Sequence, residues 1–129
     1  MGILLYSNIV IKEVVAMIEP DQVELLNCVA ERFRALSEVG RLRILLVLRA
    51  GPRSVNELVE RLGMEQAGMS KHLAILKSAG LVDCTREGNR AIYRIADERV
   101  FEMCALVCDG VAKQLKAQQS LLAEMGALT

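Results

Sequence analysis

The sequence predicts a mainly α-helical domain with one small β-hairpin, in which a helix-turn-helix is followed at once by a two-stranded wing. Three observations predict it. Apolar residues make up 53% of the chain but aromatic residues only 3%, so the core is aliphatic, as in small helical domains. Between Ser54 and Ile95 the apolar spacing switches from helical, twice, to alternating. The second helix of that stretch, Gln66 to Ala79, has two unlike faces. Met69, Leu73 and Leu76 recur at i, i+4 and i+7 as a buried stripe, while Gln66, Ser70, Lys71, Lys77 and Ser78 fall off it with donors or positive charge. A short helix that is apolar behind and polar-basic in front suits the major groove of DNA, which admits one helix.

Composition narrows the function classes. At 129 residues the chain is long enough for one domain. Residues 21–129 are expected to form it, with residues 1–20 as an N-terminal arm. Sixteen Lys/Arg balance sixteen Asp/Glu, so bulk charge gives no general affinity for DNA and any such affinity must be local. From Gln66 to Arg94 there are five Lys/Arg against two Asp/Glu, which supplies that local patch. So few aromatics argue against a base-stacking binder of single strands. The four cysteines, Cys28, Cys84, Cys104 and Cys108, form no CxxC and fit neither a disulfide framework nor a zinc ribbon. No signal-peptide pattern and no apolar run of membrane-spanning length occurs. The expected location is a reducing cytoplasm, where the thiols stay free.

The elements follow in order. Ile9 to Ile18 is apolar and β-branched enough for strand or helix, and Lys12 and Glu13 interrupt it. The arm reads either as an extra helix extending a dimer contact or as a mis-assigned start with Met17 as initiator. Pro20 and Asp21 look like a helix start, with a capping pattern over Asp21–Glu24. Leu25, Leu26, Val29, Phe33 and Leu36 then keep helical spacing to about Ser37. The next helix, about Val39 to Ala50, is apolar around most of its axis and is expected to be the central buried one. Gly51-Pro52 ends it. Ser54-Val55-Asn56-Glu57 is a capping box for a helix whose Val55, Leu58, Val59 and Leu62 face inward and which Gly63 closes. Glu65 is a poor cap for the following helix, and Gly68 in its first turn costs about 1 kcal/mol against Ala. Leu81–Arg86 and Arg90–Ile95 form the hairpin, turning at Glu87-Gly88-Asn89. Ala91, Tyr93 and Ile95 share one strand face, and Arg90 and Arg94 the other. Asp97 caps a last helix running to about Met125, whose stripe from Val100 through Val107 and Val111 to Leu115 is long enough to ask for a partner.

Five fragments in this order resemble a known family: Arg41-Leu42-Arg43-Ile44-Leu45; Ser54-Val55 with Glu57-Leu58; Ser70 with His72-Leu73 and Leu76; Ala79-Gly80-Leu81-Val82; and Arg86-Glu87-Gly88 before Tyr93. They are similar to the winged helix-turn-helix of the ArsR/SmtB family of bacterial metal-responsive repressors, over roughly Glu31 to Ala96. The resemblance implies a homodimeric repressor of double-stranded operator DNA, dimerising through its first and last helices and released by an inducer. It implies no cofactor for DNA binding itself. Departures from the family pattern are informative. Glu38-Val39-Gly40 stands where relatives often have Asp-Pro-Thr. Ser54-Val55-Asn56 replaces the Cys-Val-Cys of relatives with a thiophilic site there. Asp97 is followed by none of the histidines that complete the zinc or nickel site on the last helix.

The candidate DNA contacts are Ser70 and Lys71 on the exposed helix front and Gln66 at its N-terminus, where Gln can pair with adenine. Lys77 lies on the same side. Arg86 and Arg90 flank the wing tip, where Arg can enter a narrow minor groove. Solvated surface charge is the alternative for each. His72, the one histidine, has a DNA-facing or a structural role. Cys104 and Cys108 are four apart on one helix face, with Cβ atoms about 6 Å apart. Two such thiolates can grip one soft ion, and Cys28, on the first helix, is the expected third ligand. Such a set suits arsenite or mercury, cadmium or lead. Against this stands simple packing, since free Cys behaves as a small hydrophobe; Cys84, alternating with Val82, reads as core filling. Oxidation or persulfidation of the same cysteines is a second signal. A winged-helix protein-interaction module without DNA binding is a reading of another class. No nucleophile–base pair and no phosphate loop supports an enzyme.

Overall fold

The structure, a computed structural model, describes residues 12–127. In order it comprises α1 (Val23–Ala35), α2 (Val39–Leu48), β1 (Arg53–Ser54), α3 (Val55–Leu62), α4 (Gln66–Ser78), β2 (Val82–Glu87), β3 (Arg90–Ile95) and α5 (Arg99–Ala127). Residues 12–17 are helical, which decides between strand and helix for that part of the arm; the arm's first eleven residues lie outside the described residues. Among the described residues no helix is long and apolar enough to cross a membrane.

The core sits where α2, α3 and α4 meet the base of the wing. Ile44, Leu45 and Leu48 of α2 pack with Leu58 and Leu62 of α3, with Met69, Leu73 and Leu76 of α4, and with Leu81, Val82 and Val100. The capping box forms as its spacing requires. Ser54 Oγ accepts from Glu57 N–H at 3.2 Å, and Glu57 Oε1 accepts from Ser54 N–H at 3.0 Å. Two backbone donors that the helix leaves free are thereby satisfied. Gly63, at φ +67°, terminates α3 in the left-handed region and turns the chain into α4.

The hairpin carries a third strand. β1 pairs antiparallel with β3, giving the order β1-β3-β2. Two residues are too short to show alternation, so spacing could not reveal β1. It places Ser54 opposite Ile92, and Ile92 is buried although it shares the strand face of Arg90 and Arg94. β2 extends one residue further than expected, with Glu87 opposite Arg90. The turn is therefore Gly88-Asn89, with Gly88 at φ +64°, the arrangement of a type II′ hairpin.

Three expectations need correction. Gln22, not Asp21, precedes α1; it makes no side-chain cap to the helix, because its Oε1 instead accepts from Glu19 N–H at 2.8 Å. The helix α2 is buried on one side only: Leu46 is 50% exposed and Val39 71%, because α3, α4 and the wing cover only the opposite flank. Helix α2 also stops at Leu48, two residues early. Asp97 does cap α5, its Oδ1 accepting from Arg99 N–H at 3.1 Å. Val107, Val111 and Leu115 on that helix are half-exposed, as are Val23, Leu25 and Phe33 on α1. Among the described residues no element covers these two apolar faces.

Candidate nucleic-acid interface

The buried stripe of α4 fixes which side chains face out. With Met69, Leu73 and Leu76 fully buried, Gln66 and Ser70 turn toward the wing. There they line one cleft of about 210 Å³ with Asn56, Arg86, Asn89 and Arg90. Four of the seven residues proposed from sequence thus converge, from the recognition helix and the two wing strands. Asn56, in the first turn of α3, and Asn89, in the wing turn, join them. Neither lies on a periodic stripe; a polar residue beside a cap and another in a turn have ordinary local reasons to be there.

One cation in this cleft is already engaged. Arg90 Nη2 lies 2.8 Å from Glu57 Oε1. Ser54, through its backbone and then its side chain, holds the Glu57 carboxyl below the ordinary carboxylate range, and Arg90 and Arg53 add to this. The acid is therefore ionised at neutral pH and neutralises part of the patch. Arg94, on the same strand, donates from Nη2 to Thr85 Oγ1 at 2.7 Å.

The other three candidates lie elsewhere. Lys71 is exposed and borders a neighbouring hollow between α1 and α4, beside Glu31, Arg34 and Ser78. Lys77 is exposed at the far end of the helix. His72 turns inward, its side chain only 19% exposed. Arg41 Nη1 approaches its Nδ1 at 3.3 Å, and Glu38 Oε1 stands 3.9 Å from its Nε2. A guanidinium can only donate, so Nδ1 accepts and the ring proton belongs on Nε2. Gly40, within the departure at Glu38-Val39-Gly40, lies against this ring. A Cβ on Gly40 would stand 3.1 Å from His72 Nε2, so the backbone of α2 approaches the ring through a glycine.

The cysteines divide between two cavities. Cys104 and Cys108 line an almost wholly apolar cavity of about 300 Å³ between α1, α2 and α5, together with Leu42 and Leu46 and with Phe33 and Phe101, both phenylalanines of the chain. Burial, and then the neighbouring Cys108, push the Cys104 thiol above its ordinary value. Cys28 is not with them. It borders a different cavity, against Ser78 and Ala79 at the end of α4. Phe33 borders both cavities. Among the described residues no three His, Cys, Asp or Glu side chains gather into a metal-binding group within the protomer. Cys84 is half-buried on the inner face of the wing, its Sγ donating to the Thr85 carbonyl at 3.9 Å; burial first and the neighbouring Cys84 second raise the Tyr93 hydroxyl.

Known proteins share this fold. The family model for bacterial regulatory proteins of the arsR family matches residues 38–83. The HTH-type transcriptional repressor SmtB of Mycobacterium tuberculosis is 41% identical over 93 residues, spanning 72% of this chain and 67% of that one. The solution structure of the homodimeric winged helix-turn-helix DNA-binding domain Mb0332 from Mycobacterium bovis superposes with a TM-score of 0.67 at 38% identity, covering 79% of this chain and 94% of that one. The crystal structure of M. tuberculosis Rv0081 gives 0.66 at 35% identity, over 78% and 98% of the two chains. With the matched segment running from the start of α2 through the recognition helix into the wing, the chain belongs to the arsR family of bacterial regulatory proteins.

Proposed function

We propose that the protein is a homodimeric, sequence-specific repressor that binds double-stranded operator DNA through α4 and the wing and leaves it when a soft metal or metalloid binds Cys104 and Cys108. The observation that carries the DNA part is the cleft joining Gln66 and Ser70 to Arg86 and Arg90. Helix front and wing tip approach DNA from one side, as base and phosphate readers must. Lys71 and Lys77 extend the positive face along α4. The half-exposed apolar faces of α1 and α5 suit a two-fold pairing of copies, and the similar Mb0332 domain is itself homodimeric. Two recognition helices would then read half-sites about 34–36 Å apart.

The inducer part rests on two thiols on one helix face, lining one cavity. Cys28 takes part only if a partner copy brings it there. A ligand that favours the released dimer must bind more weakly when DNA is present. Oxidation or persulfidation of the same cysteines is the competing signal, and it acts without any ion.

Lys71→Ala or Arg86→Ala should weaken promoter binding by about 1–3 kcal/mol if the side chain reads a base, or lower the salt slope by about one for each phosphate interaction removed. A double variant binding like wild type would remove the docking scheme. Cys104→Ser and Cys108→Ser should bind DNA normally but resist release by arsenite or cadmium under reductant, whereas Cys84→Ser should respond as wild type. Normal release from a protein lacking Cys28, Cys104 and Cys108 would make these thiols packing alone. A protein-interaction module would show no salt-dependent retention on random DNA.

A further inference from the structure

We propose that Arg32 is a positioning residue that locks the recognition helix to both helices carrying the exposed apolar faces, and so sets the separation of the two half-sites the dimer reads. The inference rests on the dimeric DNA-binding reading above and adds the element that makes it spacing-selective.

Arg32 reaches three elements at once. It stands on α1. Its Nε donates to the carbonyl of Ala79, the residue that ends α4, at 3.2 Å. Its Nη1 lies 3.3 Å from Asp97 Oδ2, and Asp97 is the cap of α5. The chain makes room for this reach. Gly80 has φ +76°, and a Cβ there would stand 2.9 Å from Arg32 Nη2, so the guanidinium crosses over a residue that must lack a side chain. Arg99 grips the other side of Asp97, its Nε 3.0 Å and its Nη2 3.1 Å from the carboxylate oxygens. Arg99 first, and Arg32 after it, hold that carboxyl below its ordinary range, so the acceptor is charged at neutral pH.

The tertiary packing of the protomer concentrates among α2, α3, α4 and the sheet. The first helix enters the core through Ala35 and α5 through Val100, and Arg41 ties the end of α1 to α2. The Arg32 bonds add a direct polar link, so a displacement at the apolar faces passes to the C-terminal end of α4 through them. Gln66 and Ser70, which face the wing cleft, are toward the opposite end. Over thirteen residues, about 20 Å, a tilt of about 5° moves the N-terminus of α4 by about 1.7 Å. That is enough to break hydrogen bonds whose lengths span about half an ångström.

The test compares wild type, Arg32→Ala and Asp97→Asn on the protein's own promoter and on promoters with one or two base pairs inserted between the half-sites. A rigid dimer loses about tenfold or more on the altered spacing. Arg32→Ala should keep its dimeric state yet discriminate less than threefold, and Asp97→Asn, which cuts only the α5 arm, should fall between. Wild-type discrimination in a folded Arg32→Ala dimer would overturn the proposal. If Arg32→Ala does not fold, unchanged discrimination in Asp97→Asn overturns it equally. If wild type itself does not bind promoter DNA, the underlying DNA reading fails and this inference falls with it; if wild type binds and the variants are unaltered, only the role of Arg32 fails.

Discussion

Arg41 Nη1 lies 3.3 Å from His72 Nδ1, and this interaction fastens the face of α4 opposite the DNA cleft to α2. Arg41 is only 8% exposed. It is nevertheless fully engaged: Nε donates to the Ala35 carbonyl at 2.7 Å, Nη2 to the Arg34 carbonyl at 3.2 Å, and Nη1 pairs with Glu38 at 2.8 Å. A charge in the interior is tolerated only when paired and hydrogen-bonded, and here it satisfies the Ala35 carbonyl at the end of α1.

The first prediction follows from that network. Arg41→Met should cost about 2–4 kcal/mol of stability, because it leaves the Ala35 carbonyl and a histidine nitrogen without their donor. His72→Ala should cost about 1 kcal/mol and leave the salt slope of DNA binding unchanged, whereas Lys71→Ala should lower the slope and barely touch stability. Chemical denaturation and binding titrations over a salt series separate the two. A His72→Ala protein that is as stable as wild type but has a reduced salt slope would put the histidine on the DNA after all.

The second prediction concerns the acid paired with Arg90 of the basic cleft. Glu57→Gln keeps an oxygen that can accept from Ser54 N–H, so the cap survives. It removes one negative charge and releases Arg90, now paired at 2.8 Å. Affinity for random duplex DNA should rise by about 0.5–1 kcal/mol at low salt, and the gain should fade as salt screens it. Unchanged or weaker binding would mean that Arg90 does not approach phosphate.

The third prediction is a pH dependence. Burial and Cys108 raise the Cys104 thiol, so this thiol is mainly protonated at neutral pH and an ion bound to it must displace the proton. Affinity for cadmium should rise with pH, by up to about tenfold per unit for that one proton. Apo stability runs the other way. The folded thiol is raised above its unfolded value, so its contribution is present below that value and is lost as pH climbs through the folded one. Titrations followed by thiolate–metal absorbance at pH 6, 7 and 8 would check the first statement, and a flat response would exclude Cys104 as a ligand.

The chain's periodicity determined most of what is local. The capping box at Ser54 and Glu57, the buried stripe of Met69, Leu73 and Leu76, and Gly63 as a stop depend on neighbours within a turn or two, where spacing carries full information. The front of α4 was legible for the same reason: once the stripe is known, Gln66, Ser70 and Lys71 must lie off it. Tertiary structure decided everything that depends on distant partners. It turned His72 inward, because Arg41 and Glu38 wait on another helix. It buried Ile92 on the strand face assigned to the arginines, because a two-residue strand covers that edge. It set Cys28 apart from Cys104 and Cys108 within the protomer, in a cavity closed by the end of α4. It gave Arg32, one ordinary charge on an amphipathic helix, bonds to residues 47 and 65 positions away. Helical and strand periods report which way a side chain points from its own axis; which atoms it meets depends on how the axes are packed, and one sequence read along its length does not contain that geometry.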